Sequence, residues 1–199
     1  MITALVAAVV LVQAPTIHMA ITTNGDKVGD AWLTQKLEAG VKKTHAKLIL
    51  GETRIVETAE YAMDGTPKTK VLTHTSMGKT IKIEAVFDRS NVKVTNAGQP
   101  STVAFPAKGS LQAKSEYWFI QTKPPLNHSV EYQRFDLNTS KFVPCKVTFV
   151  GREEITSGGK KITANRVKVD GKTDAWLDER GDPYRMVLEG GTRFERVAP

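Results

Sequence analysis

The chain has 199 residues and a net charge of +7, from 28 Lys and Arg against 21 Asp and Glu. A composition that is 40% hydrophobic and 25% charged excludes global disorder and suits one domain with a packed core. Only 7% of residues are aromatic and the cations are spread along the chain, whereas a nucleic-acid surface wants a basic stripe interleaved with stacking rings.

The first stretch, Met1 to Gly25, carries no Lys, Arg, Asp or Glu, and Ala4 to Val12 is an unbroken apolar run. That run has the length of a signal-peptide apolar region and is too short to span a bilayer as a helix. Val12-Gln13-Ala14 offers small residues for a cut after Ala14, and Ala20 is a second site. The alternative is a buried first strand rich in Val and Ala. The expectation is a secretory leader over residues 1–20 and a single mature domain over 21–199, located in the periplasm or secreted and not integral to a membrane. Cys145 is the only cysteine, so no disulfide within the chain is available to hold the fold.

Asp30 to Leu50 places Leu33, Leu37 and Val41 at a spacing of four, but Gly40 and Thr44 disfavour a helix. Two strands turning at Glu38-Ala39-Gly40 are expected instead. Arg54 to Met63 and Lys68 to Ser76 flank Asp64-Gly65-Thr66-Pro67, whose Asp-Gly pair is a strong turn signal. Thr80 to Phe87 alternates cleanly, with Ile81, Ile83, Ala85 and Phe87 on one face and Lys82 and Glu84 on the other. It turns through Asp88 to Asn91 into Val92 to Thr95.

Gln99 to Gly109, with Pro100 and Pro106, reads as a loop, followed by a short helix around Ser110 to Phe119. Ser129 to Asp136 and Lys141 to Val150 form the next hairpin, with Val143, Cys145, Val147 and Phe149 on one face. Ile162 to Asp170 follows a Gly-rich turn, and Thr173 to Leu177, Tyr184 to Leu188 and Thr192 to Val197 close the chain as tightly turned strands. The predicted fold class is all-β with one or two minor helices, in a largely antiparallel meander.

Motifs that carry chemistry are weak throughout. Gly78-Lys79-Thr80 has the end of a phosphate-binding loop, but position 73 is threonine where a glycine is required, so a hairpin turn is the better reading. His18, His45, His74 and His128 are never at metal-ligand spacing. Neighbouring acids such as Glu153-Glu154 and Asp178-Glu179 point in different directions on a strand or turn and make no catalytic dyad. Asn127-His128-Ser129 and Asn138-Thr139-Ser140 fit the glycosylation pattern and read as polar turns. No catalytic residue, metal or cofactor is expected. Trp32, Trp118 and Trp176 are the candidate ligand-binding residues, since a tryptophan in a curved sheet either packs in the core or lines an apolar groove.

The order of a leader, a Gly-containing first hairpin from Gly29 to Gly40, the segment Tyr61-Ala62-Met63-Asp64-Gly65-Thr66-Pro67 and the ending Ala175-Trp176-Leu177-Asp178-Glu179-Arg180-Gly181-Asp182-Pro183-Tyr184-Arg185 resembles uncharacterised bacterial periplasmic proteins related in shape to the lipoprotein-localisation carriers. The resemblance implies a long, strongly curved antiparallel sheet, an incomplete barrel with its concave face covered by short helices. It implies a non-enzymatic protein that shelters a lipid or lipoprotein acyl chain, or meets an envelope protein partner. A hydrolase of cell-envelope material and an interaction module using exposed sheet edges are the alternatives.

Overall fold

The computed structural model describes residues 16–63, 65–106, 120 and 122–197. Fourteen strands make one antiparallel sheet: β1 Thr16–Thr23, β2 Asp26–Glu38, β3 Val41–Leu50, β4 Thr53–Ala62, β5 Pro67–Ser76, β6 Lys79–Phe87 and β7 Asn91–Asn96 come first. They are followed by β8 Gln99–Ala104, β9 Ser129–Asp136, β10 Lys141–Ser157, β11 Lys160–Val169, β12 Thr173–Leu177, β13 Pro183–Val187 and β14 Arg193–Arg196. Among the described residues there is no α-helix, and the helix expected around 110–119 falls outside them.

Spatial order shows how the meander is laid out: β8-β7-β6-β5-β4-β3-β2-β1-β14-β13-β12-β11-β10-β9. The chain starts in the middle, steps strand by strand to one edge at β8, resumes at the opposite edge with β9, and steps back until β14 pairs with β1. Met19 lies opposite Arg196 and Ile21 opposite Phe194 in that junction. The closing strands therefore seal the centre of the sheet and do not form its end. β8 and β9 are consecutive in sequence yet share no ladder, so the sheet stays open there.

One expectation needs correction. Gln99 to Ala104 is an edge strand and not a loop, with Pro100 opposite Thr95. An edge tolerates a residue that donates no ladder hydrogen bond. Residues 16–20, assigned to the leader, are the first five of β1, where Ile17, Met19 and Ile21 are buried. A cut after Ala14 would leave Thr16–Thr23 whole, whereas one after Ala20 would divide it.

The hairpin at Ala39-Gly40 forms where expected, with φ of 47° and 75°. Positive φ at both central residues matches the twist of the flanking strands, and Met77-Gly78 repeats it at 49° and 71°. Gly78 is thus the turn residue of β5–β6, as its sequence context suggested.

Apolar side chains gather in two clusters. One joins Tyr132, Cys145, Val147, Phe149, Val167, Ala175 and Leu177 under Ile120. The other joins Leu72, Ile83, Ala85, Val92 and Val94 to Phe135 and Leu137. Ile83, Ala85 and Phe87 pack there as their alternation predicts, while Ile81 at the strand's end is 48% exposed. In the β9–β10 hairpin Tyr132 pairs with Cys145 and Phe135 with Phe142. An odd separation along a strand puts Tyr132 and Phe135 on opposite faces. The hairpin therefore gives one face to each cluster and brings the two ends of the open sheet together through side chains alone.

Candidate functional site

The face that carries Ile17, Met19 and Ile21 continues across the sheet by register. Met19 lies opposite Ala31, Ala31 opposite Leu48, and Leu48 opposite Ile55. In the other direction Ile21 lies opposite Phe194, and Phe194 opposite Met186. Of these, Met19, Ala31, Leu48, Ile55, Met186 and Phe194 line a groove of about 250 Å³, with Leu33, Ala46 and Pro183 completing its apolar wall and Glu57 its single acidic residue. That is slightly below the roughly 300–1,000 Å³ of small-molecule sites, a size for part of a chain and not for a whole drug-like molecule.

Polar groups follow the groove's apolar residues along the same face of the sheet. Two residues beyond Leu33, Gln35 donates from Nε2 to Asp182 Oδ1 at 2.8 Å. Asp182 precedes the groove residue Pro183, whose carbonyl accepts from Arg196 Nε at 3.0 Å. The Arg196 guanidinium lies 4.3 Å from the centre of the Tyr184 ring, and its Nη2 is buried with no hydrogen-bond partner. Burial pushes the Lys42 ammonium below its ordinary pKa, with Asp182 opposing the shift. Burial likewise pushes the Asp182 carboxyl up, helped by Asp178 and opposed by Arg196, Lys42 and Arg180. Two half-buried cations here share one carboxylate whose ionisation is itself disfavoured.

The predicted ligand-binding tryptophans are not brought together. Trp32 and Lys47 both border the groove, while the Trp32 ring, opposite His18 and Lys47 in the ladders, stacks on His18 at 5.0 Å with Lys47 Nζ 4.8 Å from its centre. His18 in turn meets Asp30 at 2.7 Å. Trp176 lies three strands beyond β1 and is not part of the groove's wall. Its Nε1 donates to Glu153 Oε2 at 2.8 Å, and Arg166 and Arg185 flank its ring at 5.3 and 5.6 Å. Glu153 also accepts from Arg166 Nη1 at 2.8 Å. The indole N–H, then the guanidinium, hold the Glu153 carboxyl below the usual range. Trp118 lies outside the described residues.

A larger hollow of about 660 Å³ crosses β2 to β7 on the face opposite the groove, with Thr34, His45, Thr58, Thr69 and Thr95 among its walls. Its Lys43 is already paired with Glu38 at 3.2 Å and Glu60 at 3.5 Å. Size therefore favours this hollow and chemistry the smaller groove, because burial of apolar surface drives binding. Cys145 is 2% exposed and in no disulfide. Asp178 serves its own turn, accepting from the backbone N–H groups of Arg180 and Asp182 at 2.8 and 2.9 Å. Among the described residues no group of three or more His, Cys, Asp or Glu is arranged to hold a metal.

Gln35, Lys42, Asp182 and Arg196 escaped the reading of the sequence. A signal was present for the first two: in β2 and β3 the apolar stripe through Leu33 and Ala46 is interrupted by polar residues of the same parity. Asp182 looked like an ordinary turn residue, and nothing local marks Arg196.

No model of a protein family matches the chain. No curated protein matches it in sequence. Among solved structures it is similar to a β-barrel-like protein of a domain of unknown function, DUF1849, from Brucella abortus. The TM-score is 0.62 at 11% identity, over 94% of this chain and 97% of that one. The likeness is one of fold across almost the whole length of both chains, and it agrees with a sheet that curls without closing.

Proposed function

We propose that this protein binds the apolar part of an amphipathic ligand, a lipid or lipoprotein acyl chain, in the groove beneath β1 to β4 and β13–β14, and does no chemistry on it. The observation that carries this reading is the lining itself: Met19, Leu33, Leu48, Ile55, Met186 and Phe194 converge on a cavity that the sheet's own side chains leave unfilled. An unfilled apolar hollow forfeits contacts that an alkyl chain restores. The charge-free stretch from Met1 to Gly25 supports work outside the cytoplasm, periplasmic or secreted. The resemblance of the sequence to proteins shaped like lipoprotein-localisation carriers implies the same use, an acyl chain held by the apolar inner face of a half-barrel.

Titration with a fluorescent medium-chain fatty acid tests the reading. The parent protein should bind it saturably, and Ala46→Phe, which projects a ring into the groove, should weaken binding about tenfold or more. Thr58→Phe, on the opposite face, serves as the control and should leave binding unchanged. Absence of saturable binding, or equal affinity in the parent and Ala46→Phe, would overturn it.

A further inference from the structure

We infer that the polar stretch following the groove's apolar residues is a site for the anionic head of the ligand, a carboxylate held between Lys42 and Arg196. The inference rests on the reading of the groove as an acyl-chain site and adds the class of molecule that fits it. Arg196 lies opposite Met19, which lines the groove. Gln35, Thr44 and Lys42 follow Leu33 and Ala46 along the same face of β2 and β3. Each two-residue step covers about 6.6 Å along a strand, so a head group here lies within one or two steps of the apolar wall.

Three observations favour an anion. Arg196 Nη2 is buried with no acceptor, although Nε of the same side chain reaches the Pro183 carbonyl at 3.0 Å. Native proteins seldom leave such a donor unmet without a missing partner. Asp182 is the acid that interacts with both Lys42 and Arg196, and Gln35 already holds one of its oxygens at 2.8 Å. Around this acid stand three cations, Lys42, Arg196 and Arg180, against two carboxylates, Asp182 and Asp178, and an entering carboxylate would complete the balance. A guanidinium with a free terminal nitrogen also suits a planar oxyanion, and such charge-assisted bonds are among the stronger polar contacts.

Calorimetric titration with decanoate and with 1-decanol separates head from tail. The parent should bind decanoate about tenfold more tightly than the alcohol, the size of one charge-assisted pair. Lys42→Met should remove most of that difference and leave affinity for the alcohol unchanged. Arg196→Gln should do the same, and because Arg196 also contacts Tyr184 and Pro183, the Lys42 variant keeps the test independent of any loss of folding. Equal affinity of the parent for acid and alcohol would overturn the head-group site while leaving the groove intact. Binding of neither compound would overturn both.

Discussion

Phe87 and Phe135 meet edge to face with ring centroids 5.6 Å apart, although their strands, β6 and β9, lie in opposite halves of the sheet and exchange no hydrogen bond. Phe135 also meets Phe142 at 5.0 Å, and Phe142 meets Phe105 at 5.7 Å. A chain of rings thus joins the two ends of a sheet whose edge strands never pair. Phe135→Ala is expected to destabilise the fold by about 3–5 kcal/mol, the range for a buried phenylalanine. A double-mutant cycle with Phe87→Ala should give a coupling of about 0.5–1.5 kcal/mol in urea unfolding. Strict additivity would mean the two ends do not depend on each other.

Gly29 is required for a steric reason. A Cβ there would press into the Ile49 carbonyl and come within 2.8 Å of Leu50 Cδ2, at the place where the β1–β2 register shifts beside Ile21. Gly29→Ala should cost about 1–3 kcal/mol, as overpacking does. A thermal melt indistinguishable from the parent's would show that the two strands separate more easily than their spacing implies.

The Trp176–Glu153–Arg166 contact makes part of the stability depend on pH. Folded Glu153 titrates below the ordinary 4.5, so its ionised form stabilises the fold above that value, and the contribution disappears as pH falls through the lower folded pKa. Its side chain is 39% exposed, so solvent screening limits the effect to less than about 1 kcal/mol. Glu153→Gln should melt lower than the parent at neutral pH, and the two curves should converge as pH falls through the lowered folded pKa.

Asp182 has the opposite sign. Its folded pKa is raised, chiefly by burial, so the fold favours its protonated form and its stability contribution is lost as pH rises through the folded value. Asp182→Asn keeps an oxygen for Gln35 and removes the buried charge. The variant should melt at or above the parent's temperature at neutral pH, with the gap closing below the carboxylate range. A lower melting temperature at neutral pH would show that the attraction of Lys42 and Arg196 outweighs desolvation.

Trp176→Phe should leave binding of the fluorescent fatty acid unchanged, because that residue is not part of the groove's wall, whereas Trp32→Phe alters a residue that borders it and should weaken binding modestly. Trp176→Phe should instead lower stability by about 1 kcal/mol through loss of the indole donor to Glu153. Weakened binding in the Trp176 variant would move the ligand to the other face.

Much of the fold is legible in local sequence because strand alternation and hairpin turns are local physics. Ile83 and Ala85 go inward and Lys82 and Glu84 outward because the pleat has a period of two. The Ala39-Gly40 turn follows from residues that accept positive φ. Pro100 misled the reading of Gln99 to Ala104, since proline argues against a central strand but not against an edge. Tryptophan size alone did not tell a ligand wall from a polar contact: Trp32 borders the groove, while Trp176 is engaged by Glu153, Arg166 and Arg185.

Sequence by itself determined which segments extend, where they turn and which side of each strand is apolar, all of which depend on neighbours only a few residues away. Tertiary structure decided that β14 returns to β1 at the centre, that β8 and β9 remain unpaired, and that Gln35, Lys42, Asp182 and Arg196 meet next to the residues of an apolar groove. Those outcomes bring together residues more than a hundred positions apart, such as Gln35 and Asp182. Such pairings are chosen by the global burial of one face of the sheet, a free energy that no short window of sequence contains.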